Sequence, residues 1–155
     1  MHVVIRALAA QDVSRCVAIN RSLPAWFGLD DGLAEAEEYL RDHHGLVALR
    51  GNEIVGYLTW HEHFAGSAEV SWMAVDPGYH RSGVGRRLIA ALEALLPSAS
   101  LLSVKTLAET HPSPEYAATR AFYRTAGFRP QMVFPDLWDP ANPCLLMVKV
   151  VEHPA

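Results

Sequence analysis

Residues Val3–Leu8 have the composition of a strand, and after Asp12 the apolar positions Val13, Val17 and Ile19 take up helical spacing that runs to Pro24. A second helix is predicted from Leu33 to Asp42, where Ala34, Ala36 and Leu40 mix with Glu35, Glu37 and Glu38 behind the segment Trp26-Phe27-Gly28. Two β-rich runs, Leu46–Arg50 and Ile54–His63, are joined by Gly51-Asn52, a polar two-residue step that suits a hairpin. A third run, Glu69–Val75, follows Phe64-Ala65-Gly66-Ser67 and completes an antiparallel meander. Helical spacing returns at Val84, Leu88, Ile89, Leu92, Leu95 and Leu96, stops at Pro97, and gives way to a strand at Leu101–Leu107. Beyond a Pro-rich loop at His111–Pro114, Tyr116–Ala126 reads as a helix capped by Gly127, with Ala118 and Phe122 on its inward stripe. Phe128–Phe134 and Leu145–Val151 are expected to close the sheet, separated by a loop from Pro135 to Pro143. The order β-α-α-β-β-β-α-β-α-β-β, without repeats or a low-complexity tract, describes a mixed α/β (α+β) fold.

Composition narrows the class. At 155 residues, half of them hydrophobic and 19% charged, the chain matches one globular domain spanning 1–155. A net charge of −4 lacks the concentrated Lys and Arg that phosphate neutralisation requires, so nucleic acid is not an expected partner. Cys16 and Cys144 are far apart and outside any CxxC pair, which predicts two reduced thiols and neither a redox nor a zinc motif. No apolar run approaches the ~20 residues of a membrane span, and the expected location is the cytoplasm.

Chemistry concentrates in Trp72-Met73-Ala74-Val75-Asp76-Pro77-Gly78-Tyr79-His80-Arg81-Ser82-Gly83-Val84-Gly85-Arg86-Arg87-Leu88. An apolar strand ends at Val75, a turn follows, and glycines stand where the loop enters a helix. Bare glycines leave backbone N–H groups accessible, and the positive end of the helix dipole faces whatever binds, so the pattern reads as an anion site. The plainer reading is a strand-to-helix turn shaped by Gly78, Gly83 and Gly85, with the arginines as solvated helix charges. An unrelated nucleotide-phosphate loop is disfavoured, because the Lys-Ser/Thr of a P-loop is missing and the spacing is not Gly-x-Gly-x-x-Gly.

The segment His80-Arg81-Ser82-Gly83-Val84-Gly85 resembles motif A of the GCN5-related N-acetyltransferases (GNAT), a Gln/Arg-x-x-Gly-x-Gly/Ala loop that holds the pyrophosphate of coenzyme A. His80 stands where the family usually has Gln or Arg. About 40 residues later, Thr119-Arg120-Ala121-Phe122-Tyr123-Arg124-Thr125-Ala126-Gly127-Phe128 resembles motif B, a helix ending in Phe-Tyr-x-x-x-Gly-Phe, in the right order and separation. Tyr116 stands where many members carry Asn. The resemblance covers about Leu46 to Leu146. It implies a mostly antiparallel central sheet of about six or seven strands flanked by about four helices, and acetyl-CoA as cosubstrate with no metal. It also implies an N-acetyltransferase, an unidentified amine as acceptor, and dimers as common. Arg81, Arg86 and Arg87 are candidates for phosphate oxygens, and the thioester carbonyl is expected at backbone N–H groups near Met73, Ala74 and Val75.

An alkyl ammonium of ordinary pKa ~10 must lose a proton before it attacks a thioester. Glu69, six residues before Val75, is the first candidate for the base, at the spacing where some members of the family carry theirs; Glu62 is the alternative. His61 and His63 project to one strand face and could bind a metal or shuttle protons, although exposed polar residues are the commoner reading. Tyr123 corresponds to the motif B tyrosine that reaches the CoA sulfur as general acid; its alternative is a core aromatic beside Phe122. Trp26 and Trp138 lead the candidates for an acceptor pocket, with Phe27, Trp60 and Asp139 behind them. A CoA-binding sensor that has lost turnover is the competing function.

Overall fold

The structure is a computed structural model and describes residues 2–27, 30–42 and 44–153. Seven strands form one mostly antiparallel sheet. In chain order the elements are β1 (Val4–Ala7), α1 (Val13–Arg21), α2 (Asp30–Asp42), β2 (His44–Arg50), β3 (Glu53–Phe64), β4 (Ser67–Val75), α3 (Val84–Leu95), β5 (Leu101–Leu107), α4 (Pro114–Thr125), β6 (Arg129–Asp139) and β7 (Asn142–Val150). The sheet order is β1-β2-β3-β4-β5-β7-β6, and β4 with β5 is a parallel pair. Among the described residues no helix is long and apolar enough to cross a membrane.

The chain divides into two compact units, one of Met1–His61 with Ser71–Leu95, the other of Glu62–Val70 with Leu96–Ala155. In the first, α1 and α2 lay Cys16, Ile19, Ala36 and Leu40 onto Val47 and Tyr57 of the sheet. Tyr57, fully buried, donates to Asn20 Oδ1 at 2.6 Å, and burial pushes its hydroxyl well above the ordinary tyrosine range. The β2–β3 hairpin turns at Gly51-Asn52, as the two-residue step predicts, with Arg50 opposite Glu53.

Asp12 ties the entry to α1. Its carboxylate takes two hydrogen bonds from Arg6, at 2.7 and 3.0 Å, and one from the Ala9 backbone N–H at 2.8 Å. The Arg6 hydrogen bond holds its carboxyl below the usual carboxylate range. A depressed folded-state value stabilises above the unfolded value of ~3.9, and that contribution is lost as pH falls through the folded value. Asp12→Asn is therefore expected to melt earlier than wild type at pH 7, by about 1–2 kcal/mol after allowing for the partly exposed guanidinium. In thermal melts the gap should close as the pH is taken below 4, whereas a gap that persists at low pH would assign the effect to packing.

In the second unit, Leu102, Val104, Met147 and Phe128 are buried. The α4 helix starts at Ser113, whose hydroxyl accepts the Tyr116 N–H at 3.3 Å, and closes at Gly127, φ +99°. Its buried residues are Arg120 and Tyr123, while Ala118 is exposed and Phe122 only half-buried, so the inward stripe is not the one expected. A helix turns ~100° per residue, which puts Arg120 and Tyr123 on one side of α4 and Ala118 and Phe122 toward the other. The expected loop at Pro135–Pro143 is also corrected. β6 runs to Asp139 and turns back at Pro140-Ala141, where Asp139 opposes Asn142. Pro130 and Pro135 are tolerated because β6 is an edge strand, with no second neighbour to lose a hydrogen bond.

Candidate active site

The loop after β4 is built by short-range hydrogen bonds. Asp76 Oδ1 accepts the Gly78 N–H at 2.9 Å, and Pro77–Tyr79 forms a single 3-10 turn. Asp76 is anchored in turn by Arg15, whose Nη2 lies 2.8 Å from Oδ2 and whose Nε donates to the Ile54 carbonyl at 3.1 Å. His80 Nε2 bonds the Val75 carbonyl at 2.8 Å, and because a carbonyl only accepts, that nitrogen carries the hydrogen. Ser82 Oγ donates to the Tyr79 carbonyl.

Two residues flanking Ser82 have left-handed backbone: Arg81 at φ +61° and Gly83 at φ +86°. An L-residue in that region costs roughly 1–2 kcal/mol, and such positions cluster where a binding loop is over-determined by its surroundings. A Cβ built on Gly83 would meet nothing within 4 Å, so the loop faces open space there. The Arg87 N–H donates to the Gly83 carbonyl at 3.1 Å, making Gly83 the last residue before α3. Helix geometry leaves the first N–H groups of α3, at Val84, Gly85 and Arg86, without intrahelical acceptors. Converging N–H groups beside open space, at the positive end of a helix, fit a pyrophosphate. Arg81 and Arg86 are exposed beside this cradle, whereas Arg87 donates to the Val3 carbonyl at 3.2 Å and serves packing.

Within β4, Ala74 is buried and Met73 and Val75 are half-buried. Ser67–Val70 pair in parallel with Leu101–Val104 of β5, and β4 ends at Val75. Trp26 packs edge-on against the His80 ring at 6.0 Å, and Phe27 stacks on Trp72 at 5.4 Å, so the segment before α2 abuts the loop and its strand. Trp60 stacks on His44 across the β2–β3 pair and is a sheet contact.

Glu69 stands in a polar cluster that sequence alone did not show. Its Oε1 is 2.8 Å from His63 Nε2, and its Oε2 is 3.1 Å from Lys105 Nζ. Glu62, the alternative, is exposed and neighbours His63 in the strand, so it points to the opposite face. Tyr123 is 6% exposed and packs edge-to-face on Phe122 and Phe128. Burial pushes its hydroxyl far above the ordinary range, with Tyr116 adding to the shift, so it stays protonated at neutral pH and can donate a hydrogen bond. Arg120, 5% exposed, donates from Nη1 to the carbonyls of Leu107 and Ala108 at 2.7 and 3.2 Å. Trp138 is half-exposed in a stretch of β6 that leaves register with β7 between Phe134 and Asp139. Asp139 accepts from Ala141 N and Asn142 Nδ2 and so closes that hairpin.

Sequence reasoning missed Arg15, which braces the loop from α1, and Gly56, where a Cβ would come within 3.0 Å of Val84 Cγ1 and 3.3 Å of the Ala74 carbonyl. The glycine lets the start of α3 lie close on the sheet. Its signal was a lone glycine inside a strand pattern, which marks a close approach.

The family described as Acetyltransferase (GNAT) domain matches residues 41–130. Among solved structures, the chain is similar to a GNAT-family protein from Desulfovibrio desulfuricans at 22% identity and TM-score 0.81, covering 97% of this chain and 99% of that one. The ribosomal-protein-S18-alanine N-acetyltransferase from Escherichia coli is similar at 17% identity and TM-score 0.74, covering 99% and 97%. An aminoglycoside 6'-N-acetyltransferase complexed with coenzyme A is similar at 17% identity and TM-score 0.72, covering 98% and 99%. At these identities the likeness is one of fold. No match was found among curated proteins.

Proposed function

Because the chain belongs to the GNAT family and is an acetyl-CoA-dependent acetyltransferase, we propose that it transfers the acetyl group to a primary amine by direct attack in a ternary complex, residues 1–155 acting as one catalytic domain. The observation that carries this reading is the left-handed backbone at Gly83, with open space beside it and the start of α3 behind it. Ser82, Gly83, Val84 and Gly85 hold the pyrophosphate by backbone N–H groups, with Arg81 and Arg86 on its outer oxygens and His80 bracing the turn. The thioester carbonyl meets backbone donors of Met73, Ala74 and Val75, at the end of β4. That two neighbours of the same fold are N-acetyltransferases by name supports an amine acceptor.

The amine must first be neutral, and the Glu69 cluster takes its proton. As the tetrahedral adduct collapses, Tyr123 donates a hydrogen bond to the departing sulfur, and burial, which keeps its phenol protonated, supports donation of that kind. Thiols ordinarily titrate near ~8.5, so the thiolate is a fair leaving group and the acid's share is modest. Trp26, packed on His80, is the first acceptor-side residue to test, and Trp138 the second.

Calorimetric titration with acetyl-CoA, followed by thiol release against a panel of amines, tests the reading. Micromolar binding with amine-dependent release is expected, and Tyr123→Phe should bind equally well but turn over about tenfold more slowly. Binding without release from any amine would favour a CoA sensor. No binding would remove the loop at His80–Gly85 as the donor site.

A further inference from the structure

Asp76 joins β4 to the loop before α3, and all four of its polar groups are engaged. Its backbone N–H donates to the Val55 carbonyl at 2.8 Å, its carbonyl accepts the Tyr79 N–H at 2.8 Å, and Oδ1 accepts the Gly78 N–H at 2.9 Å. Oδ2 is held by Arg15 Nη2 at 2.8 Å, across 61 residues of sequence. Arg15 reaches it from α1 with its fork already committed. Nε donates to the Ile54 carbonyl at 3.1 Å, and Nη2 also lies 3.4 Å from Glu53 Oε1. A planar guanidinium tied to backbone at Nε has its other nitrogens fixed in direction. It therefore sets where Oδ2 sits and, through the rigid carboxylate, where Oδ1 meets Gly78.

The turn placed in this way carries the strained residues. The Tyr79 carbonyl accepts Ser82 Oγ, and Arg81 and Gly83 on either side of Ser82 are left-handed. Strained backbone persists where its surroundings over-determine it. Hydrogen bonds inside the loop shape the turn, while those of Asp76 to Val55 and Arg15 fix it on the strands and on α1. Trp26 against His80 and Arg50 over Tyr79 add ring contacts, which constrain direction less.

Resting on the donor-loop reading above, we propose that Arg15 is a positioning residue for acetyl-CoA, acting through Asp76 to aim the N–H groups of the loop at the pyrophosphate. Energetics separate this role from ordinary bracing. Side-chain exposure is 35% for Arg15 and 23% for Asp76, and a partly exposed ion pair adds at most about 1 kcal/mol to stability. A shift of ~1 Å in a set of converging groups costs up to ~10²-fold. Loss of Arg15 thus falls on donor binding more than on melting.

Calorimetry with acetyl-CoA, beside thermal melts of the same full-length variants, tests the assignment. Arg15→Ala should bind acetyl-CoA about tenfold more weakly, while its melting temperature falls by no more than about 4 °C. Arg15→Lys keeps the charge without the fork and should lose nearly as much affinity. Asp76→Asn, which still accepts the Gly78 N–H, should match Arg15→Ala, and the double variant should be no weaker than either single one. Glu53→Gln should bind as wild type, as should Arg41→Ala, which breaks an exposed pair on α2. Wild-type affinity in Arg15→Ala or Asp76→Asn, or losses that add in the double variant, removes Arg15 from donor binding and leaves the loop's own assignment standing. Full affinity in Arg15→Lys would assign the effect to charge and overturn the positioning role. No binding of acetyl-CoA by wild type overturns the donor-loop reading and this assignment together.

Discussion

Replacing Gly83 with Asp is expected to weaken acetyl-CoA binding by about 10³-fold, equivalent to ~4 kcal/mol. Two effects add. The backbone at φ +86° admits an L-residue only at a cost of roughly 1–2 kcal/mol, some of which is met by distorting the loop. The larger effect is electrostatic. The new carboxylate projects into the open space beside the first N–H groups of α3, takes their hydrogen bonds and repels the phosphates they would hold. Gly83→Ala separates the two, since it carries the strain without the charge and should cost about tenfold. Calorimetry of the two variants beside wild type is the measurement. Equal affinities in all three would place the donor elsewhere.

Arg120→Met is expected to destabilise the protein by about 3 kcal/mol, lowering the melting temperature by on the order of 10 °C. The guanidinium is buried and its Nη1 serves the carbonyls of Leu107 and Ala108, where β5 ends. Methionine fills much of the stem's volume but offers no donor, leaving two acceptors in a dry place at roughly 1–3 kcal/mol each. Relief from burying a charge offsets part of that. Since Arg120 lies one turn before Tyr123 on α4, its loss should also loosen the tyrosine, and turnover should fall more than acetyl-CoA affinity. A melting temperature within 2 °C of wild type would mean that water reaches those carbonyls and that Arg120 is no brace.

The motif A loop could be read from the sequence because its contacts are local: Asp76 to Gly78, His80 to Val75 and Ser82 to Tyr79 lie within five residues of one another. Element order was legible for a similar reason, and β5 spans the residues its pattern predicts. What failed was whatever depends on partners distant in the chain. Nothing near Arg120 in sequence announces the carbonyls 12 and 13 residues away, and the inward face of α4 was expected at Ala118 and Phe122 instead. Prolines at 135, 140 and 143 read as a loop because the pattern does not say that β6 lies at an edge. Glu69 was chosen by its spacing from Val75, but Lys105, 36 residues on, joins it only through the register of β4 with β5.

That parallel register has a consequence for cutting and grafting the chain. β4 contributes Ser67–Val70 to one compact unit and Ser71–Val75 to the other, and the backbone crosses between units at 61/62, 70/71 and 95/96. A break at Pro97-Ser98 therefore yields no self-sufficient piece, because the first fragment carries away Glu62–Val70, including the strand segment that pairs with Leu101–Val104. Two such fragments, expressed separately, should stay unfolded alone and recover acetyl transfer only when mixed. Neither half can be exchanged as a cassette with a homologue unless β4 is exchanged with it.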